Sequence, residues 1–255
     1  MKQAGEDDPI EPIGSVLAMR TGSSAAPIQA VLFDLDGTLY HQAPLRWRML
    51  RELALTPLTR GPLGARRLAR ILGRFRKERE LMREVPGRTT PLAQLQYQVP
   101  AQDLGVSAGD VEREVVEWMY ERPLRHLRPH RRAGVGRFME QAQQAGLGLG
   151  CFSDYPVDLK LEALGLSGSF DVQMDATQPD IDCFKPEPKG FLVCAERLGV
   201  DPQRVLYVGD RPEVDGEGAR RAGMPVIILS DAPLDDGFQY ATSMKEVWRV
   251  VRESN

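Results

Sequence analysis

The sequence predicts an α/β protein, in which a doubly wound parallel sheet carries an inserted α-helical domain. Short apolar strands alternate with amphipathic helices over residues 129–255. Another strand over residues 29–35 precedes this region, and residues 41–128 between them have helical but little strand character. Alternating strands and helices form parallel sheets with right-handed crossovers, so the carboxyl ends of the strands share one edge.

The first strand ends in two carboxylates. It runs directly into the sequence Asp34-Leu-Asp36-Gly37-Thr38. Because strand side chains alternate between faces, Asp34 and Asp36 begin on one face, and a turn at Gly37 directs both into the crevice at the sheet edge. Carboxylates this close favour a Mg²⁺ ion between them, with one free to attack and the other to exchange protons. The alternative is a helix cap or an exposed turn without chemistry.

Residues 41–128 are predicted to form a helical cap. Helices are expected over 44–55, 63–84, 91–98 and 108–121, separated by proline and glycine residues. Leu68, Ile71, Leu72 and Phe75 recur at the i, i+3, i+4, i+7 spacing of a single buried helix face. The second of these helices therefore packs one apolar stripe inside the insert.

The remaining chain, residues 28–40 with 129–255, is predicted to form the core of the molecule. Its helices are expected over 137–145, 157–164, 187–198, 213–222 and 244–252, and its further strands over 147–152, 170–174, 205–208 and 226–229. Ser243 and Glu246 have the spacing of a capping box at the start of the last helix. Residues 1–27 lack periodicity and are expected to be a mobile tail.

Composition excludes several classes of protein. The chain has 255 residues, of which 42% are hydrophobic and 27% charged, and a formal net charge of −3. This balance gives no sign of nucleic-acid binding, and no apolar run is long enough to span a membrane. An acidic amino terminus does not suit a secretory signal, so we expect a cytoplasmic protein. Three cysteines without paired spacing favour neither disulfides nor a zinc site, and the oligomeric state stays open.

Further polar residues stand at other strand ends and helix starts: Ser153, Lys185-Pro186, and Gly209-Asp210 with Asp215. Together with the Asp34 to Thr38 segment, they resemble the four ordered motifs of haloacid dehalogenase-like hydrolases. The resemblance implies a Rossmann-like core. The insert between the first two motifs is similar to the helical cap of phosphoglycolate-phosphatase-like members. Dehalogenase members lack the second aspartate, so Asp36 favours phosphoryl transfer.

The resemblance also implies roles for individual residues. Asp34 is the nucleophile that forms an aspartyl-phosphate, and Asp36 is the general acid and base. Mg²⁺ is held by Asp34, Asp210 and the backbone carbonyl of Asp36, while Asp215 orients Lys185 or metal-bound water. The catalytic set is Asp34, Asp36, Ser153 and Lys185, and the substrate-binding set is Thr38, Ser153, Asp154, Lys185 and Arg211. Standing alone, Ser153 would be only a helix cap and Lys185 only a solvated side chain.

Some residues depart from the usual motifs. Asp154 stands where many relatives carry asparagine, and its negative charge either points away from the phosphate or reflects a reshaped loop. Arg211 stands where serine is frequent, and contacts either phosphate or only solvent. Asp180 and Asp182 precede Lys185, and either pair with arginines of the cap in a closed state or are simply solvated.

The predicted cap is basic, and its arginines allow three interpretations. The basic residues are Arg60, Arg66, Arg67, Arg70, Arg74, Arg76, Lys77, Arg79 and Arg83. They attract an anionic phosphoester, or place the helix over 63–84 on acidic lipid or nucleic acid, or form a solvated face opposite the apolar stripe. Tyr40, His41 and Trp47, near the start of the insert, are candidates for lining the site.

The sequence therefore predicts a Mg²⁺-dependent phosphatase that acts on a small phosphorylated metabolite, with phosphoglycolate as the substrate suggested by the family. Two alternatives stay open at this point. One is a phosphomutase of the same superfamily, which would return the phosphoryl group to a sugar. The other is a noncatalytic or regulatory binding module that uses the basic cap to hold a partner.

Overall fold

A computed structural model describes residues 26–83 and 89–255. Its strands are β1 (Ala30–Phe33), β2 (Gly148–Ser153), β3 (Val172–Asp175), β4 (Val205–Gly209), β5 (Val226–Leu229) and β6 (Gln239–Ala241). They form one six-stranded parallel sheet in the order β3-β2-β1-β4-β5-β6. The predicted doubly wound α/β fold is confirmed. The strand β6 was not predicted, because it is short and lacks an apolar run.

The helices fall into two groups. Those of the insert are α1 (Gln42–Met82), α2 (Leu92–Leu104), α3 (Ala108–Val115) and α4 (Leu124–Leu127). Those of the core are α5 (Val135–Gln144), α6 (Asp158–Ala163), α7 (Lys189–Leu198), α8 (Glu217–Arg221) and α9 (Met244–Glu253). A π-helical turn over Val116–Glu121 continues α3, and another over Pro212–Gly216 leads into α8.

The helical run α1 consists of two helices that meet at a kink, in agreement with the two separate helices that the sequence predicted. Its one interruption is at Gly61, where φ is 69° and ψ is 166°. Pro57 lies within the helical run, and Pro62 follows the interruption directly, where a missing N–H is harmless. Similarly, α2 continues beyond Pro100, which is buried together with Ala101, until Gly105 ends it in the left-handed conformation. Tertiary packing therefore extends α2 past its proline, whereas Pro57 in α1 is exposed.

The central strand β1 is completely buried, with layers of helices on both faces of the sheet. On one face, Phe33 packs edge-on against Phe138 of α5, in a cluster that includes residues of α9. On the other face, Leu32 belongs to a cluster with Phe191 of α7 and Ala219 of α8. Burial on both faces explains why the strands read as continuous apolar runs.

The insert has a hydrophobic core of its own. The predicted face of α1, formed by Leu68, Ile71, Leu72 and Phe75, is buried against residues of α2 and α3 and Trp118. Two connecting segments join the insert to the sheet and pair with each other. The His41 N–H bonds the carbonyl of His130 at 2.9 Å, and the Arg132 N–H bonds that of Leu39 at 2.9 Å.

The described part of the chain contains no helix long and apolar enough to cross a bilayer. Most of the predicted amino-terminal tail, residues 1–25, lies outside the described residues. The assignment of residues 41–128 to a cap and of 28–40 with 129–255 to the core stays a prediction.

Candidate active site

The carboxyl ends of the central strands open into a cavity of about 560 Å³ between the sheet edge and the insert. Parallel pairing of β1 with β2 and β4 brings the predicted motif residues to this edge. Core residues that line the cavity are Asp34, Asp36, Ser153, Asp154, Lys160, Lys185, Asp210, Arg211 and Asp215. The insert contributes apolar residues such as Leu72 and Trp118, and the charged residues Arg46, Arg76, Glu80 and Arg83.

Asp34 is buried, and both of its carboxylate oxygens have partners. Oδ1 accepts a hydrogen bond from Lys185 Nζ at 2.6 Å, and Oδ2 accepts one from the Thr38 hydroxyl at 3.2 Å. The Asp34 N–H bonds the carbonyl of Val208 in β4 at 2.8 Å, which fixes the residue against the sheet. Burial raises the pKa of Asp34, and neighbouring carboxylates act in the same direction, whereas Lys185 opposes them.

Lys185 is also buried and holds three groups together. Besides Asp34, its Nζ contacts Asp215 Oδ1 at 2.6 Å and the Tyr207 hydroxyl at 3.1 Å. Burial lowers the pKa of Lys185, but Asp215 and Asp34 outweigh it and raise that pKa above its usual range. Asp215 Oδ2 accepts the N–H groups of Asp210 and Arg211 at 3.2 and 3.1 Å, so Asp215 orients both Lys185 and the loop after β4.

Asp36 lies beside a different lysine. Lys160 Nζ, from α6, is 2.7 Å from each of its carboxylate oxygens. The Tyr40 hydroxyl donates to Oδ1, and the Ser153 hydroxyl is 3.5 Å from Oδ2. The two neighbouring aspartates are thus held by two separate buried cations.

The acidic residues of this site fit a hard divalent cation. Oxygen atoms of Asp34, Asp210 and Asp215 lie within 4.8 Å of one another. Buried Asp210 Oδ1 makes no hydrogen bond with any residue that the structure describes, and burial together with Asp215 raises the pKa of Asp210 to about 7. Both oxygens of Asp215 and both of Asp34 already have partners, so Asp210 Oδ1 is the oxygen of these three residues that is open to a cation.

Ser153 lies at the end of β2, where its hydroxyl accepts the Tyr155 N–H at 3.2 Å. The next residue, Asp154, faces the insert. Its Oδ2 pairs with Arg83 at 2.7 Å, and its Oδ1 accepts the Lys185 N–H at 3.1 Å. Although burial opposes the shift, Arg83 and Lys185 lower the pKa of Asp154. The charge that distinguishes Asp154 from asparagine is therefore neutralised by the insert.

Other candidates lie further from the chemistry. The Arg211 side chain is at the rim of the cavity and bonds Glu213 at 2.9 Å. The expectation that Asp180 pairs with a cap arginine is wrong, because it pairs with Arg197 of α7. Asp182 contacts the insert through a backbone group instead, accepting the N–H of Leu92 at 2.6 Å.

Of the three residues suggested near the start of the insert, Tyr40 lines the cavity, whereas His41 and Trp47 are exposed. Several basic residues of the insert have acidic partners within it. Arg60 pairs with Glu114 at 2.6 Å, and Arg67 with Asp110 at 3.0 Å. Such pairs favour a structural surface over a polyanion-binding one for this part of α1.

Two arginines of α1 and its carboxyl end contact the core instead. The Arg79 guanidinium lies 4.1 Å from the ring centres of both Tyr155 and Phe184, and donates to the Asp154 carbonyl at 2.5 Å. The Arg83 guanidinium pairs with Asp154 and bonds the Lys185 carbonyl. The insert therefore holds the loops that carry Ser153 and Lys185.

With this geometry in place, comparison with known proteins identifies the family. Residues 28–223 match the haloacid dehalogenase-like hydrolases. The chain belongs to this family. A phosphoglycolate phosphatase of Shigella boydii is 29% identical over 221 residues, covering 80% of this chain and 81% of that protein. A glyceraldehyde 3-phosphate phosphatase of Methanopyrus kandleri is 29% identical over 218 residues, covering 82% and 87%.

A solved haloacid dehalogenase-like structure supports the same fold. The 2-haloacid dehalogenase of Pseudomonas syringae superposes with a TM-score of 0.63 at 24% identity, over 89% of this chain and all of that one. The expectation of a hydrolase from the phosphoglycolate-phosphatase-like branch of the family, with a helical insertion after the first strand, is confirmed.

The sequence interpretation missed the contacts that three residues make in this candidate site. Lys160 shares a buried helix face with Val157, Leu161 and Leu164, and a lysine at such a position signals a buried partner. The Tyr207 hydroxyl lies within an otherwise aliphatic strand, which is a similar signal. For Arg83 the sequence carries no such signal, since it is one of many arginines in α1 and its surroundings.

Proposed function

We propose that this protein is a Mg²⁺-dependent phosphatase that hydrolyses a small phosphomonoester through an aspartyl-phosphate on Asp34. The observation that carries the proposal is the placement of Asp34 at the base of the cavity, held by Lys185 at 2.6 Å and by Thr38. A carboxylate fixed in this way presents an oxygen to a phosphorus atom without further reorganisation.

The proposed reaction has two steps. First, an Asp34 oxygen bonds to phosphorus while the bond to the leaving oxygen breaks, and Asp36 gives that oxygen its proton. Second, a water attacks the aspartyl-phosphate and gives its proton to Asp36, which releases phosphate and restores Asp34. Ser153 donates a hydrogen bond to a phosphoryl oxygen, and Lys185 offsets the negative charge gathered at Asp34.

Asp34, Asp210 and the backbone carbonyl of Asp36 would hold the magnesium ion, because hard oxygen ligands suit it. The ion supplies positive charge for the phosphoryl oxygens when bound. Buried Asp210 Oδ1, which has no partner among the described residues, supports this assignment.

A small substrate fits the cavity of about 560 Å³ and its lining. Arg46 and Arg76 add positive charge from the insert side, which favours an anionic ligand, whereas Arg83 is paired with Asp154. The named relatives act on phosphoglycolate and glyceraldehyde 3-phosphate, both small phosphorylated metabolites. We propose a substrate of this class, with phosphoglycolate the first to test, and propose that residues 41–128 act as a cap that encloses it.

The test is turnover of p-nitrophenyl phosphate in the presence of Mg²⁺ by the wild type and by Asp34→Asn. We expect the substitution to lower kcat by about 10³-fold or more, because it removes the nucleophile. Asp235→Asn, at an exposed position, is the matched control and should retain full activity. Equal activity of Asp34→Asn and the wild type would remove Asp34 from the reaction. Release of inorganic phosphate from phosphosugars without isomerisation would distinguish a phosphatase from a mutase.

A further inference from the structure

A lysine outside the recognised motifs stands directly against Asp36. Lys160 Nζ is 2.7 Å from both carboxylate oxygens, which is a symmetric two-point contact. Tyr40 binds one of these oxygens and Ser153 lies near the other. These contacts therefore fix both the position of the Asp36 carboxylate and the orientation of its plane.

Lys160 is poorly explained as a stabilising residue. Its side chain is only 8% exposed, and its ammonium also lies 5.2 Å from the centre of the Tyr155 ring. Taking two charges out of water costs about as much as their attraction returns, so a buried lysine–aspartate pair adds little stability compared with two apolar side chains of similar volume. We therefore look for the role of this ammonium group in its effect on Asp36, which it contacts.

We propose that Lys160 is the positioning residue for Asp36 and sets the direction in which Asp36 exchanges protons. This inference depends on the proposed function, in which Asp36 acts in both steps. When Asp36 carries the proton, its other oxygen still accepts from Lys160, so the hydroxyl is directed toward the leaving oxygen. When Asp36 is ionised, the same contact keeps a free lone pair on the side of the attacking water.

Each of the two aspartates is held for its proposed role by a different lysine. Lys185 holds Asp34 for attack, and Lys160 holds Asp36 for proton transfer. Without Lys160, the Asp36 side chain is free to rotate away from the leaving oxygen. A displacement of about 1 Å in a catalytic group lowers the rate by roughly 10²-fold.

The test uses two substrates of matched shape but different need for a proton. Phenyl phosphate has a poor leaving group that depends on the general acid, whereas the nitro group of p-nitrophenyl phosphate stabilises the departing phenolate. We expect Lys160→Met to lower kcat for phenyl phosphate by about 10²-fold and for p-nitrophenyl phosphate by less than about tenfold, with little change in KM. A purely structural role would lower both equally.

Three controls complete the experiment. Lys245→Met, at an exposed position, should change neither rate. Lys160→Arg keeps the charge and should restore the wild-type ratio between the two rates. If Lys160→Met does not fold, Lys160→Gln takes its place. In an Asp36→Asn background, Lys160→Met should have less than a twofold further effect, because Lys160 acts only through Asp36.

Failure of this inference is distinguishable from failure of the proposed function. If the wild type hydrolyses both esters and Asp34→Asn does not, but the Lys160 variants lower both rates equally or not at all, the positioning role is wrong. If the wild type hydrolyses neither ester with Mg²⁺ present, or Asp34→Asn stays active, the proposed function fails and this inference fails with it.

Discussion

Asp34 and Asp36 are two residues apart, yet each carboxylate lies against a different buried lysine. Lys185 reaches Asp34 from the loop before α7, and Lys160 reaches Asp36 from α6. Without these cations, two carboxylates so close would repel each other, and one would take up a proton. At the scale of single residues, the division of labour that we propose for the two aspartates therefore depends on their separate partners.

Gly37 decides how close the first motif comes to Asp210. Its φ is +106°, and a Cβ atom at this position would lie 2.0 Å from Asp210 Oδ2. We expect Gly37→Ala to displace Asp210, weaken the activation of turnover by Mg²⁺, and lower kcat by about 10²-fold. Titrating activity against Mg²⁺ concentration measures the effect. Gly109→Ala in the insert, where a Cβ meets nothing within 4 Å, should leave the titration unchanged.

At the scale of elements, α1 has two different ends. Its basic residues toward the solvent serve as a polar surface, and Arg67 and Arg74 pair with acids of the insert. At its carboxyl end, Arg79 and Arg83 cross to the core and bind the loop that follows β2. The helical run α1 therefore links the hydrophobic core of the insert to the candidate active site at the edge of the sheet.

This difference predicts unequal effects for two arginine substitutions. Arg83→Gln removes a guanidinium that neutralises Asp154 and bonds the Lys185 carbonyl, so we expect KM to rise about tenfold, equivalent to about 1.4 kcal/mol. Arg70→Gln changes an exposed side chain, and its turnover should match the wild type at every salt concentration. Steady-state kinetics against ionic strength gives both values. Salt-dependent loss of activity in Arg70→Gln would instead favour attraction of an anionic ligand by this surface.

At the scale of the whole molecule, the insert and the core meet through an apolar cluster that includes Leu92 and Phe184, and through charged contacts around the cavity. Asp154 is the core residue of the ion pair with Arg83, and its side chain is only 8% exposed. A buried ion pair contributes to specificity of arrangement, and removal of one partner is costly because the other charge stays buried. We therefore expect this contact between the insert and the core to depend on the ionised state of Asp154.

The charge of Asp154 should make the free energy of unfolding depend on pH. The pKa of Asp154 in the folded protein lies below its usual value of 3.8, so its contribution to stability is present above that pH and is lost as the pH falls through the lowered value. Asp154→Asn should therefore lower the free energy of unfolding at neutral pH, and the difference from the wild type should vanish in acid. Urea unfolding of both proteins across this range measures it. A difference that does not change with pH would exclude the ion pair as its cause.

The sequence by itself determined the α/β architecture, the position of the helical insertion and most residues of the candidate active site. Alternating strands and helices place Asp34, Ser153 and Asp210 at strand ends, and parallel pairing then brings these ends together. Local periodicity was also sufficient for the buried face of α1. These features depend on neighbours in the chain, so a local pattern can reveal them.

Only the tertiary structure decided which side chains meet across the cavity. Lys160 and Asp36 are 124 positions apart, and Arg83 lies 71 positions before its partner Asp154. No spacing rule connects such pairs, because their contact depends on how helices from the core and the insert pack against the sheet. The same reason explains the pairing of Asp180 with α7 and the continuation of α2 past Pro100, where long-range packing outweighs the local signal.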